Sequence, residues 1–294
     1  MPEQNNQIPK FAVFLSLVKY KLSLAVAFSA TTGYLLCNNR ISPDFFSFVP
    51  GIFLLTAGSA VLNQVTERKQ DSMMERTWKR PVVLGRITRN LAIIVLTSLL
   101  FTGSFLLLLT GLIPFSLGIL GVVLYNLIYT PLKKVTFLAI IPGALVGAIP
   151  PLIGFTSSCG ASLNNKILLF SSFMFLWQIP HFWLLLLRYG KEYQAAGFST
   201  IDDFLGEEQI KYLVFFWILL SAVFLQFFSF ITSMLNNGFG SLLVILTIIL
   251  IILLFRNLFT VKGSQNTWHA FIIINSYSFG IMLILIADSF FGGA

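Results

Sequence analysis

The stretch 45–81, FFSFVPGIFLLTAGSAVLNQVTERKQDSMMERTWKRP, decides how the chain is read. Its first twenty residues carry no charge and are long enough to cross a bilayer as a helix. From Asn63 onward it gathers three of the chain's eleven acidic residues and five of its nineteen basic ones. Asn63, Glu67 and Asp71 are spaced i, i+4, i+8, which on a helix stacks them on one face over roughly 12 Å. No Pro or Gly follows Gly58, so the polar end is expected to continue the helix. Arg76 and Arg80 repeat the four-residue step, and Pro81 ends or kinks it. An amide, two carboxylates and two guanidinium groups suit Mg²⁺ and a phosphate ester. Mg²⁺ takes one or two carboxylates plus phosphate oxygens, and Arg clamps the remaining anionic oxygens. The plainer alternative is a solvated helix end whose carboxylates pair with Arg68, Lys69 and Arg76. Asn63 speaks against it, because an amide at the last buried turn of a span is costly.

Composition supports the membrane reading. With 56% hydrophobic residues, 10% charged and a mean hydropathy of +0.86, a soluble globular fold is excluded. Long apolar runs without period-two alternation exclude a β-barrel. The chain reads as an all-α polytopic membrane protein, a single domain over 1–294, with nine transmembrane helices around a central cavity. The spans fall at about 22–39, 45–64, 91–110, 113–130, 137–156, 167–188, 212–234, 238–256 and 268–290. A polar tail, 1–21, precedes them, with Lys19 and Lys21 snorkelling at the inner interface. Acidic motif loops are expected at about 63–89 and 189–211. With the N-terminus in the cytoplasm, only Arg40 and Lys166 of the nineteen Lys and Arg fall outside. The net charge of +8 is therefore a topology signal and no mark of nucleic-acid binding. Neither a transit peptide nor a cleavable signal is visible, which points to a bacterial inner membrane with the motif toward the cytoplasm. Cys37 and Cys159 both fall near the outer face. They could pair, but two separate thiols are the expectation.

Two other segments bear chemistry. Span 5, IIPGALVGAIPPLIGF, has prolines and a Gly143/Gly147 small-residue face, read either as close helix packing or as a curved wall for a bulky substrate. Span 6, FLWQIPHFWLLLLRYGKEY, places His181 between aromatics and runs into Glu192, so spans 2 and 6 share a plan that hints at an internal repeat. Intramembrane His181 is either a packed hydrogen-bonding residue or a functional group. His269 reads as interfacial.

These segments resemble the intramembrane aromatic prenyltransferase superfamily, and within it the heme-directed branch, the protoheme IX farnesyltransferases. The first motif of that family, N-x-x-x-D-x-x-x-D followed by M-x-R-T-x-x-R-P, is similar to Asn63, Glu67, Asp71, Met74, Arg76, Thr77, Arg80 and Pro81. YTPLKKVT (129–136), GALVGAIPPLIGF (143–155), LWQIPHFW (176–183) and KEYQAAG (191–197) follow in the expected order, and the likeness covers roughly 13–290. The chain departs from the family at Glu67 and Glu192, where Asp is usual, at Lys69, where Asp is common, and at Tyr20, where Pro is frequent. The resemblance implies farnesyl transfer from farnesyl diphosphate to the 2-vinyl group of heme b, with Mg²⁺ as cofactor. It implies Glu67, Asp71, Asn63 and Glu192 as metal ligands. It implies Asn63, Glu67, Asp71, Arg76, Arg80 and His181 as catalytic, and Tyr129, Lys133, Lys134, Trp177, Glu192 and Tyr193 as substrate-binding. A heme A synthase or oxidase-assembly partner is a family-level expectation. The competing readings are a prenyltransferase acting on a quinone precursor or chlorin, and a transporter using the acidic column as an ion path.

Overall fold

A computed structural model describes residues 9–232, 238–260 and 266–291. The first eight residues of the expected tail, the turn about Asn236, and Lys262 lie outside them. The described chain is helical: α1 (Lys10–Leu17), α2 (Tyr20–Cys37), α3 (Phe45–Thr66), α4 (Arg68–Asp71), α5 (Arg89–Thr110), α6 (Leu112–Val123), α7 (Thr130–Leu132), α8 (Ile140–Cys159), α9 (Asn165–Ala195), α10 (Glu207–Ile231), α11 (Phe239–Phe255) and α12 (Asn266–Phe291). Among the described residues eight helical stretches are long and apolar enough to cross a membrane, and a ninth is added if the α1–α2 pair, bent by 50°, counts as one span. Local signals set the starts: Thr88 and Asn164 accept side-chain caps from Leu91 N and Ile167 N, opening α5 and α9.

α3 packs on α5, α2 on α8, α8 on α9, and α9 on α10 and α12, which returns to α2. The outer helices α5 and α6 bury little of themselves. Phe101, Phe105 and Leu109 of α5 stay exposed, as side chains facing lipid must. α2 and α8 cross backbone to backbone. A Cβ at Gly33 would lie 2.0 Å from Pro151 O, and one at Gly154 only 1.8 Å from Ala30 O. Gly143 and Gly147 are likewise filled, by Tyr129 with Phe182 and by Gln178. Close packing is thus the use to which span 5 puts its glycines.

The structure corrects the reading of the cysteines. Cys37 at the end of α2 and Cys159 at the end of α8 form a disulfide, with Cα atoms 6.0 Å apart. Bonding follows from the α2–α8 crossing, which brings two helix ends together although 122 residues separate them in sequence. In the chain-entropy account, closing so long a loop in the unfolded chain is worth about 5 kcal/mol. Cys37→Ser, or reduction of the wild type, is accordingly expected to lower the melting temperature in detergent. An unchanged melt would mean the crossing holds without the bond.

Candidate active site

The acidic column survives, but the long motif helix does not. α3 ends at Thr66, and Glu67 (φ −100°, ψ 16°) is a joint before the single turn of α4. Backbone bonds Glu67 N to Asn63 O (2.9 Å) and Asp71 N to Glu67 O (2.8 Å) nevertheless keep the four-residue step. Past Asp71 the chain folds back in turns, so Arg76 and Arg80 do not extend the helix to Pro81 as expected. The reversal has visible fastenings. Thr77 Oγ1 donates to the Asp71 carbonyl at 2.9 Å, and Arg80 bonds the Asp71 carboxylate. Met74 is buried against Ala196 and Phe198 from beyond α9. Met74, Thr77 and Arg80 of M-x-R-T-x-x-R thus each have a contact that fastens the reversed chain.

Asn63, Glu67 and Asp71 are 2%, 2% and 1% exposed. Each carboxylate is held on one side only. Glu67 Oε2 accepts from Asn63 Nδ2 at 2.9 Å and from Lys133 Nζ at 2.8 Å; Asp71 Oδ2 accepts from Arg80. Glu67 Oε1 and Asp71 Oδ1 are buried without a partner. Buried carboxylate oxygens are costly unless something positive meets them. Two hard oxygens backed by an amide fit Mg²⁺, which needs few protein ligands when phosphate supplies the rest. Among the described residues no three His, Cys, Asp or Glu side chains gather. Glu192 therefore does not join Glu67 and Asp71 in one cluster. It accepts from the Arg76 backbone N at 3.2 Å.

Cations ring this column. Lys133 follows a wide π-helical turn, Leu124–Tyr129, next to Pro131, which has no N–H to close an ordinary turn. The Tyr129 ring lies 5.2 Å from Lys133 Nζ and stacks on Tyr125. Burial pulls the Lys133 ammonium below its usual pKa, and the Glu67 carboxylate beside it opposes that shift. Arg76 bonds the Tyr193 hydroxyl and lies over the Tyr189 ring at 5.3 Å. The Lys134 backbone N donates to the Pro131 carbonyl at 3.1 Å, and its ammonium makes no hydrogen bond or ion pair among the described residues.

Lys19 does not snorkel. It sits at the α1–α2 break with φ 45°, the one left-handed non-glycine among the described residues. Its Nζ donates to Asn63 Oδ1 at 3.2 Å. The neighbouring Gln64 donates to the Leu17 carbonyl at 2.6 Å, so two adjacent α3 side chains fasten the break. A left-handed lysine costs about 1–2 kcal/mol, which this contact must offset. Thr130, accepting from Asn63 Nδ2 at 3.3 Å, was also invisible in sequence.

The aromatic residues lie further along α9. Trp177 spends its indole N–H on the Ile274 carbonyl of α12 at 3.1 Å, and its ring lies 5.1 Å from His181. His181 packs on Phe271 at 4.7 Å, and its Nδ1 is buried without a partner.

Comparison with known proteins agrees with this fold. The UbiA prenyltransferase family matches residues 26–279. Protoheme IX farnesyltransferase of Geobacter sulfurreducens is 35% identical over 204 residues, 69% of this chain and 76% of that one. The protein of the same name from Cytophaga hutchinsonii is 36% identical over 196 residues, 65% of this chain and 68% of that one. Among solved structures, a digeranylgeranylglyceryl phosphate synthase superimposes with TM-score 0.77 at 15% identity, covering 96% of this chain and 99% of that one. A UbiA homolog from Archaeoglobus fulgidus bound to GPP and Mg²⁺ gives 0.67 at 14% identity, covering 92% and 99%. With the family matched over most of its length and the acidic column folded as described, the chain belongs to the UbiA prenyltransferase family and is a membrane-embedded prenyltransferase.

Proposed function

We propose that the protein transfers a farnesyl group from farnesyl diphosphate to the 2-vinyl group of heme b, giving heme O. The observation that carries the reading is the pair of half-held carboxylates, Glu67 and Asp71, ringed by Lys19, Arg76, Arg80 and Lys133. Relatives named protoheme IX farnesyltransferase support the donor and the acceptor. When bound, Mg²⁺ supplies positive charge to the diphosphate oxygens, held through Glu67, Asp71 and Asn63.

The chain's own residues then do the following. Lys133, Arg76 and Arg80 neutralise charge that builds on the diphosphate as its bond to the farnesyl C1 breaks. The electron pair of that bond leaves with the diphosphate. Tyr125, Tyr129 and Phe182 present rings beside this point and keep water off the allylic cation. The terminal vinyl carbon of heme b bonds C1, and the cation left beside the pyrrole takes a hydroxyl from water, which loses one proton. Glu192 holds the Arg76 backbone and so aims its guanidinium. Lys19 completes the ring from the N-terminal side. Lys19→Met is expected to raise the KM for farnesyl diphosphate about tenfold, since a hydrogen bond to a charged group is worth about 1.5–3 kcal/mol. An unchanged KM would assign Lys19 to Asn63 alone. The motif faces the cytoplasm in a bacterial inner membrane, in accord with the placement of Lys and Arg. A heme-modifying enzyme acting on the product is the natural partner.

The test is a mass-spectrometric heme profile of cells lacking heme O synthase, with and without this protein. Hydroxyethylfarnesyl heme appearing with the protein supports the reading. Heme b alone, with the protein folded in the membrane, rejects the acceptor, and labelled farnesyl diphosphate would then reveal any quinone or chlorin product.

A further inference from the structure

A continuous run of rings leads away from the phosphate-facing cations along α9 and α12. The Arg188 guanidinium lies 5.4 Å from the Tyr189 ring centroid and 5.1 Å from that of Trp268. Trp268 stacks on Phe271 at 5.1 Å with 12° between planes, and Phe271 meets His181. His181 and Arg188 are seven residues apart on one helix, hence on one face, roughly 10 Å apart along the axis. The Tyr189 ring also carries Arg76. One ring therefore separates the phosphate-facing guanidinium from a second one.

That second guanidinium differs from most of its neighbours. Arg80 and Lys133 each meet a carboxylate, whereas Arg188, like Arg76 across the Tyr189 ring, has no carboxylate within ion-pair distance among the described residues. It is also exposed. An arginine present only to orient the chain in the bilayer needs no fixed position. This one is stacked on two rings, which orders its planar fork and leaves the donor edge free for an anion.

We propose that Arg188 is the anchor for a carboxylate of the acceptor, and that the surface of Trp268, Phe271 and His181 receives the flat face of its ring system. The proposal rests on the heme reading above and deepens it. Heme b is planar and carries two propionates on one edge, away from the vinyl groups. Ionised propionates resist entering hydrocarbon, so they stay at the edge of the bilayer, where an arginine fork takes a carboxylate through two parallel hydrogen bonds. Pinning that edge fixes which edge of the macrocycle can approach the prenyl donor. Arg188 is thus a residue of acceptor specificity, distinct from the diphosphate cations.

The experiment titrates the full protein in lipid nanodiscs with heme b and with its dimethyl ester, followed by the heme absorbance. The wild type is expected to bind heme b about tenfold more tightly than the ester. Arg188→Gln should bring the two within about twofold by weakening heme b alone, and Arg188→Lys should restore part of the preference. Equal affinities in the wild type, or a preference that survives Arg188→Gln, overturns the anchor and leaves the heme reading standing. Failure of the wild type to bind either heme while it still binds farnesyl diphosphate overturns both. Farnesyl diphosphate binding by Arg188→Gln confirms that the variant is folded, and the wild-type comparison decides the matter without it.

Discussion

Asp71→Asn is expected to lower kcat/KM for prenyl transfer roughly 10²–10³-fold, the scale seen when one preorganised charge-stabilising group is removed. The amide preserves shape, so the loss would be of charge. In the wild type Oδ2 holds Arg80 and Oδ1 is buried without a partner. Neutralising the group weakens both the grip on Arg80 and the hard oxygen available to a cation. The measurement is turnover in proteoliposomes across a Mg²⁺ titration. A variant within tenfold of wild type at every Mg²⁺ concentration would remove Asp71 from the reacting centre. A loss recovered fully at high Mg²⁺ would confine its part to metal affinity.

The second large effect concerns the α2–α8 crossing. Gly154→Ala puts a methyl group where the Ala30 carbonyl stands, at 1.8 Å. Backbone cannot rotate aside as a flexible side chain would, so the two helices must separate along their length. Overpacking of this kind costs about 1–3 kcal/mol and occasionally more, and this site belongs at the upper end. Gly121→Ala is the control. Its Cβ would find its nearest neighbour at 3.8 Å, an ordinary contact, and alanine favours a helix over glycine. Melting followed by size exclusion in detergent should show a sharp loss for Gly154→Ala and none for Gly121→Ala. A Gly154→Ala protein that melts with the wild type would mean the crossing yields easily.

What could be read in the sequence was what is local or periodic. The apolar spans are set by length and hydropathy, and most of their helices start and stop within a few residues of the expected points; α9 runs on to Ala195, seven residues past the expected end, and α10 begins at Glu207, five before the expected start. The Asn63–Glu67–Asp71 column was legible because the four-residue step holds through a joint as well as through a helix. The break itself was not. Pro81 was the visible stop, but the helix ends ten residues earlier, where Thr77 and Arg80 reach back to Asp71. Lys19 was hidden for a different reason. A lysine at the head of an apolar run has the same appearance whether it anchors the chain at the interface or turns inward to Asn63. Only its left-handed backbone separates the two, and nothing in the sequence announces that. The disulfide depends on a crossing between helices far apart in the chain, so the sequence alone pointed wrongly to two separate thiols.

The two halves of the site are built of unequal stuff. α3 stops and is jointed at Glu67, whereas α9 runs unbroken for 31 residues, roughly 46 Å against a hydrocarbon core of about 30 Å. Glu192 and Tyr193 therefore stand on a rigid mast projecting past the bilayer core, while Arg76 and Arg80 hang on a folded ribbon tied to it at Met74. α9 already lacks one backbone bond at Pro180, but the turns beyond it that carry Glu192 and Tyr193 cannot bend without breaking hydrogen bonds of their own. Give in the site is expected from the ribbon, and loosening its moorings at Met74 or Arg76 is expected to change how fast diphosphate leaves.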